Sequence, residues 1–288
     1  MVRKLERRSA RILAFVLAFI MVASIFAYSI AALFPLNPQQ REVRAKYEIS
    51  DVVARLNASQ YVYANFSYIY RLEEDDPLRT YVERNLREVM DPRILNRMVI
   101  ETNMLELLTA YIGGYPVYFI NTGLGKVYFS TQREEKVGNY TLKIYRNVAL
   151  VDEIEPIAVG FTYPLLEALN RLEGNGSASY MSNLSNFAYA VILNREAAAQ
   201  VCRQNETTFC DFLFLGYRIN GSYYEAVWVM HATASFYFVE TNETKEKYDY
   251  YYVRTLDDLQ VAYIGDRDFD EVLQAKPEIR GIIIQQLS

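Results

Sequence analysis

The chain has 288 residues, a formal charge of −5, two cysteines and one histidine. That length is ample for a packed core, and the acid excess excludes nucleic acid as a partner, which needs a basic face. A single histidine without a cysteine–histidine cluster excludes a zinc site of the usual kind, and no cofactor is expected.

Residues 1–11 are a basic tail, with Arg3, Lys4, Arg7, Arg8 and Arg11 against one acid, Glu6. Ile12 to Phe34 follows with no charge and no proline, and its 23 residues at ~1.5 Å each cross a hydrocarbon core of about 30 Å. Positive charge stays on the cytoplasmic side, so the tail is expected inside, the bilayer is the first partner, and residues 35–288 face the exterior. Two alternatives are a signal cut near Ala27-Tyr28-Ser29, against which the length of the apolar run speaks, and a prepilin-like leader cut near Ser9-Ala10, which leaves Arg11 at an odd place. Ala23, Ala27 and Ala31, and likewise Ala14 and Ala18, recur every four residues, a spacing that permits self-association of membrane helices.

Residues 35–48 begin with two prolines, turn polar and read as a stalk. Ser50 is placed to cap a short helix to Asn57, and residues 61–70 alternate like a strand with Asn65 on its solvated face. Asp76-Pro77 and Asp91-Pro92 each put an N-cap acid before a proline at the first helical position. The first helix carries Leu78, Tyr81, Val82, Leu86, Val89 and Met90 at helical spacing; the second is expected to run through Ile94, Leu95, Met98, Val99, Leu105, Leu108 and Tyr111. Residues 115–120 and 126–130 read as a hairpin, 140–151 as one strand, 165–172 as a helix ended by Gly174, 187–193 as a strand and 195–203 as a helical turn or two. The last third is richest in strands: 212–219 and 222–230 about Asn220-Gly221, read as a type I′ turn, then 232–240, 248–254 and 259–265 as a continuing meander. A short helix over 268–275 and a strand over 281–285 close the chain.

The expected fold is therefore α+β: an N-terminal transmembrane helix, then an extracytoplasmic domain with a mainly antiparallel β-sheet covered by a few amphipathic helices. The expected division is a tail at 1–11, a signal anchor at 12–34, a stalk at 35–48 and a glycosylated domain at 49–288.

Asn-X-Ser/Thr, the acceptor pattern for N-glycans, occurs eight times, at Asn57, Asn65, Asn139, Asn175, Asn183, Asn205, Asn220 and Asn242. With 17 Asn and 27 Ser plus Thr, random order gives about 1.6 such sites. All eight lie beyond the anchor, as expected of a domain glycosylated outside the cytoplasm. Cys202 and Cys210 read as a disulfide closing a short loop around Asn205.

Several residue groups invite a catalytic or metal reading, and each has a plainer one. His231 lies between strand-like runs as a packed or edge residue. Asp266, Asp268, Asp270 and Glu271 lack the spacing of a calcium loop and suit a solvated helix start. Asp152, Glu153, Glu155, Asp257 and Asp258 offer carboxylate pairs, as any acidic chain does. Gly123 to Lys126 has neither the spacing nor the following helix of a phosphate loop. The tyrosine groups at 61, 63, 68 and 70, at 223 and 224, and at 248, 250, 251 and 252 fit sheet packing, or aromatic faces for sugars or peptides.

In composition the chain resembles the tyrosine-rich, sequon-dense envelope proteins of archaea. The leading expectation is a non-enzymatic, membrane-anchored surface domain that works by binding or assembly. A second is an accessory or sensor subunit of a membrane complex that grips a ligand or sibling subunit. A third is an extracellular hydrolase.

Overall fold

A computed structural model describes residues 43–281, apart from 102, 124, 175–182, 205–206 and 233–235. The tail, the Ile12–Phe34 stretch, most of the stalk, Asn175, Asn205 and the end of the expected last strand lie outside the described residues. Among the described residues no helix is long and apolar enough to cross a membrane.

The first half begins with β1 (Ala45–Lys46) and α1 (Ile49–Leu56). Ile49, Val52, Val53 and Leu56 of α1 recur at helical spacing and are buried. The N-cap is Glu48 in a reciprocal box with Asp51, rather than Ser50, and Asn57 ends the helix at a left-handed φ of 46°. β2 (Gln60–Asn65) runs into the single turn α2 (Phe66–Ile69), then α3 (Pro77–Val89) and α4 (Pro92–Leu95). α3 starts as its sequence dictates: an Asp76 carboxylate oxygen accepts from Leu78 N at 2.8 Å and Arg79 N at 3.3 Å. Its Leu78, Val82 and Leu86 are buried, each worth about 1.5–3 kcal/mol. Then come β3 (Met98–Ile100), β4 (Glu106–Ile112), β5 (Tyr115–Asn121), β6 (Val127–Phe129), β7 (Arg133–Val137), β8 (Tyr140–Tyr145), β9 (Val148–Val151), β10 (Ile154–Glu155), β11 (Ile157–Phe161) and α5 (Thr162–Glu173).

The second half has a 3-10 turn at Leu184–Asn186, then β12 (Tyr189–Asn194), α6 (Glu196–Val201), β13 (Arg203–Gln204), β14 (Thr207–Thr208), β15 (Cys210–Asn220), β16 (Tyr223–Ala232) and β17 (Phe236–Val239). It ends with α7 (Asn242–Lys247), β18 (Tyr250–Leu256), β19 (Leu259–Asp266), α8 (Phe269–Gln274) and β20 (Glu278–Gly281).

Twelve strands form one sheet, ordered β18-β19-β16-β15-β12-β2-β4-β5-β11-β9-β8-β7, and every pairing in it is antiparallel. The α+β class with a mainly antiparallel sheet and several helices is as the sequence implies. Each half of the chain supplies a contiguous block of strands, and the blocks meet where β12 pairs with β2. One face of the sheet packs against α1 and α5. The other packs against α3, α4 and α8.

Four local expectations are corrected. The second helix is one turn long: Met98–Ile100 pairs with Val127–Phe129, and Leu105 to Tyr111 belongs to β4 and its approach. Leu107 and Leu108 are both buried, on opposite faces of β4, so period-two alternation is lost and a three-residue spacing imitates a helix. The partner of β5 is accordingly β4, across Gly113-Gly114 with φ of 59° and 81°. The single strand expected over 140–151 is β8 and β9, separated by a turn at Arg146 and Asn147. The 232–240 segment leaves the meander, as β17 pairs with β20 and Asn242–Lys247 after it form α7.

Candidate functional site

The outer four strands of the second half carry the most unusual chemistry. Directly opposed residues share a face of a sheet, so the register aligns Arg218, Glu225, Gly265 and Tyr250 in one row across β15, β16, β19 and β18. The next rows are Gly216, Val227, Tyr263 and Tyr252, then Phe214, Val229, Val261 and Arg254, then Phe212, His231, Leu259 and Leu256.

Glu225 has no exposed surface. A buried carboxylate needs a counter-charge and donors, and three groups supply them. Arg218 Nε donates at 2.5 Å, Tyr250 Oη at 2.7 Å and Asn220 Nδ2 at 3.2 Å. Gly265 is what lets Tyr250 reach across: a Cβ there would stand 2.1 Å from Tyr250 Cζ. Gly216 does the same in the next row, where a Cβ would lie 2.5 Å from Phe187 Cδ1. The Arg218 guanidinium lies over the Phe187 ring at 5.4 Å. Burial, followed by the hydrogen bond to and charge of Glu225, raises the Tyr250 phenol well above its ordinary value, so it stays a donor at neutral pH.

From this anchor a half-buried aromatic ladder extends. Tyr223 meets Tyr250 edge-on at 5.5 Å, Tyr250 leans on Tyr252 at 6.0 Å, and Tyr252 stacks on Tyr263 at 4.5 Å with ring planes 15° apart. Arg254 covers Tyr252 at 5.3 Å and Arg267 covers Tyr223 at 5.5 Å. In the hydrophobic cluster containing Val227, Val229 and Val261, this half contributes Leu184 of its 3-10 turn and Phe187 after it, while the α-helices of that cluster, α1 and α5, belong to the first half. The ladder offers phenol edges, hydroxyls and guanidinium groups, which is chemistry for binding.

The other tyrosine groups are structural. Tyr61 and Tyr63 have no exposed surface; Tyr61 Oη accepts from Ala58 N and donates to Val53 O, and Tyr63 Oη donates to Glu106. Tyr68 bonds the backbone of Ile219, Tyr224 donates to Asp76, and Tyr248 stacks on Tyr251; Tyr70 is exposed.

The remaining candidates separate. His231, at the end of its strand, has Nδ1 2.5 Å from Asp211 Oδ1 and Nε2 3.3 Å from Asp258 Oδ2. Asp152 pairs with Lys143, Glu153 with Arg44 and Glu155 with Lys46, so these acids neutralise cations instead of facing one another across a cleft. Asp257 sits in the β18–β19 turn with φ 54°. Asp268 caps α8 by accepting from Asp270 N, while Asp266 accepts from Asp268 N; Asp270 and Glu271 fill the helix's first turn. Among the described residues no three of His, Cys, Asp and Glu converge in a way that could hold a metal ion.

Cys202 and Cys210 are bonded, with Cα atoms 5.5 Å apart, and both are buried. Of the described acceptor asparagines, Asn57, Asn139, Asn183, Asn220 and Asn242 are exposed. Asn65 corrects the expectation of a solvated site. It is 7 % exposed, its Oδ1 accepts from Tyr68 N, and its Nδ2 donates to Ser185 O. Helices cover both faces of central β2, so neither face is wet, and a side chain this buried leaves no room for a glycan.

Sequence reasoning missed the Glu225 anchor, although a signal was present. Arg218 and Glu225 are equidistant from Gly221-Ser222, which forms the actual two-residue loop, with φ of 63° at Gly221 and no positive φ at Ser222. That is the pattern of a type II′ turn, not type I′. Centring the turn one residue early hides the pair.

Residues 47–169 match the AF_2048_N family N-terminal domain. A protein of Archaeoglobus fulgidus is 36% identical over 299 residues, spanning 97% of this chain and 95% of its own length. Two solved structures of TP0453, crystal forms III and I, align with TM-scores of 0.38 and 0.39 at 9% and 10% identity, covering 79% of this chain and 98% and 96% of theirs; likeness of that size carries no functional argument. With near full-length similarity to the A. fulgidus protein and the match over its first half, this chain belongs to the AF_2048_N family.

Proposed function

We propose that this is a single-pass membrane-anchored, N-glycosylated cell-surface protein that acts by binding or assembly outside the cell. The observation that carries the reading is the sequon excess: eight sites against about 1.6 by chance, all beyond the Ile12–Phe34 stretch. Five of the six that fall on described residues are exposed. The basic tail before the apolar stretch orients it, and the Cys202–Cys210 bond suits an oxidising exterior.

A second reading, an accessory or sensor subunit that grips a ligand or sibling, is favoured by the aromatic ladder of Tyr250, Tyr252 and Tyr263 with Arg254. Mass determination before and after glycan removal, with N-terminal sequencing, tests the location: sugar on the exposed sites and an intact N-terminus support it, and a bare chain contradicts it. Crosslinking in native membranes separates the two roles. A ladder of self-adducts favours assembly, and one fixed partner favours the subunit.

A further inference from the structure

We propose that Arg97, Tyr145 and Arg146 form one half of a head-to-tail contact between copies of this chain, and that the acidic loop Glu73, Glu74 and Asp75 of the neighbouring copy is the other half. The proposal rests on the assembly reading above and names the surfaces involved.

Two guanidinium groups share one phenol ring: Arg97 lies 4.6 Å and Arg146 5.7 Å from the Tyr145 centroid. Such contacts favour a cation, but two like charges at one ring repel. The ion pairs among the described residues include neither arginine. In a chain with net charge −5, such uncompensated cations mark a place made for an anion. The backbone that carries each is fixed. Arg146 occupies the β8–β9 turn at φ 55°, a left-handed conformation that a non-glycine residue adopts only where its surroundings impose it, and its N–H donates to Gln132 Oε1 at 3.1 Å. The Arg97 carbonyl accepts from Ser130 N at 3.0 Å.

The complementary surface lies between α2 and α3. Glu73, Glu74 and Asp75 are exposed and enter none of those ion pairs, while Asp76 beside them is used as a helix cap. The two patches cannot meet within one molecule. The acidic loop follows the end of the sheet at which Asn65 opposes Glu106. Arg146 lies at the other end, where Phe161 opposes Val148, and β8 is five strand steps from β2, roughly 24 Å at about 4.8 Å per step. A contact between different patches on successive copies is heterologous and can propagate as an open row.

The sheet edges direct association toward side chains. β7 carries Arg133, Glu134, Glu135 and Lys136 exposed, a charged edge that resists strand addition. On the opposite edge, β18, Val253 N donates to Glu240 Oε1 at 2.8 Å.

Energy transfer between donor- and acceptor-labelled full-length chains in lipid vesicles tests the proposal. The native chain should self-associate, more weakly as salt rises. R97E/R146E and E73K/E74K/D75K should each weaken association by about tenfold or more, with circular dichroism confirming that both are folded. Mixing the two reversed variants should restore energy transfer, because each then meets its opposite charge. Association that survives both reversals, no restoration on mixing, or a native chain that stays monomeric at any surface density overturns the contact. So does a patch that takes inorganic sulfate or phosphate but no second chain. A glycosylated, outward-facing chain that never associates removes this contact and leaves the location reading intact.

Discussion

The two halves of the sheet follow parallel plans and end differently. In each, a first strand (β2 or β12) precedes a helical crossover and then a hairpin (β4–β5 or β15–β16). A later strand (β11 or β19) joins that hairpin's outer side with another (β9 or β18) beyond it, and a helix follows at once. In the first half that helix, α5, buries Leu165, Ala168, Leu169 and Leu172 against the face it shares with α1. In the second half α8 buries Phe269 and Val272 on the opposite face. The face left without α8 carries the Glu225 anchor and the tyrosine ladder. Where one half spends a sheet face on a helix, the other carries half-buried polar aromatic rows.

The comparison yields a graded set of tests. The largest effect is expected from Arg218→Met, which leaves the Glu225 carboxylate buried without its counter-charge: about 3–5 kcal/mol of stability should be lost, measured by denaturant unfolding. Replacing both Cys202 and Cys210 with serine should cost about 2–3 kcal/mol by the loop-entropy argument, and the shift in thermal midpoint reads it. Gly265→Ala should displace Tyr250 at about 1–3 kcal/mol and alter the near-ultraviolet circular dichroism of the ladder. The glycine at 113 has open space around it, so any cost of alanine there comes from its left-handed backbone alone, not from displaced rings.

A pH test reaches both halves. Burial raises the phenols of Tyr61, Tyr63, Tyr189, Tyr217 and Tyr250 above the ordinary value of 10.0, and pushes Tyr118 and Tyr251 up to about 12. The folded chain thus holds these protons more tightly than the unfolded chain. Their contribution to stability is complete below pH 10 and is lost as pH climbs through about 12. The unfolding midpoint should fall over that window, with phenolate absorbance from these residues appearing only as the chain unfolds; early phenolate absorbance in the folded state would contradict the burial. The smallest effect is Asn65→Ala, about 1 kcal/mol from a lost cap, with no change in glycan mass.

Much of the architecture was legible because it is encoded locally. Asp76-Pro77 announced α3, Gly174 closed α5, and the long β15–β16 hairpin followed from two apolar runs about a turn. What failed depended on neighbours distant in sequence. β2 and β4 are wet on neither face, so alternation could not separate inside from outside, and Asn65 was assigned to solvent when it caps α2. The site was half legible: Tyr250 and Tyr252 stood out as residues, but the acid beneath them depended on a turn register that Gly221-Ser222 fixes and Asn220-Gly221 suggests wrongly.

Protease treatment of intact native cells, followed by peptide mapping with and without glycan removal, tests the central claim most directly. The account predicts that the body beyond residue 43 is cut from outside, with sugar on the exposed set Asn57, Asn139, Asn183, Asn220 and Asn242 and none on Asn65. A body that stays intact until the cells are broken, with every one of those asparagines unmodified, would contradict it.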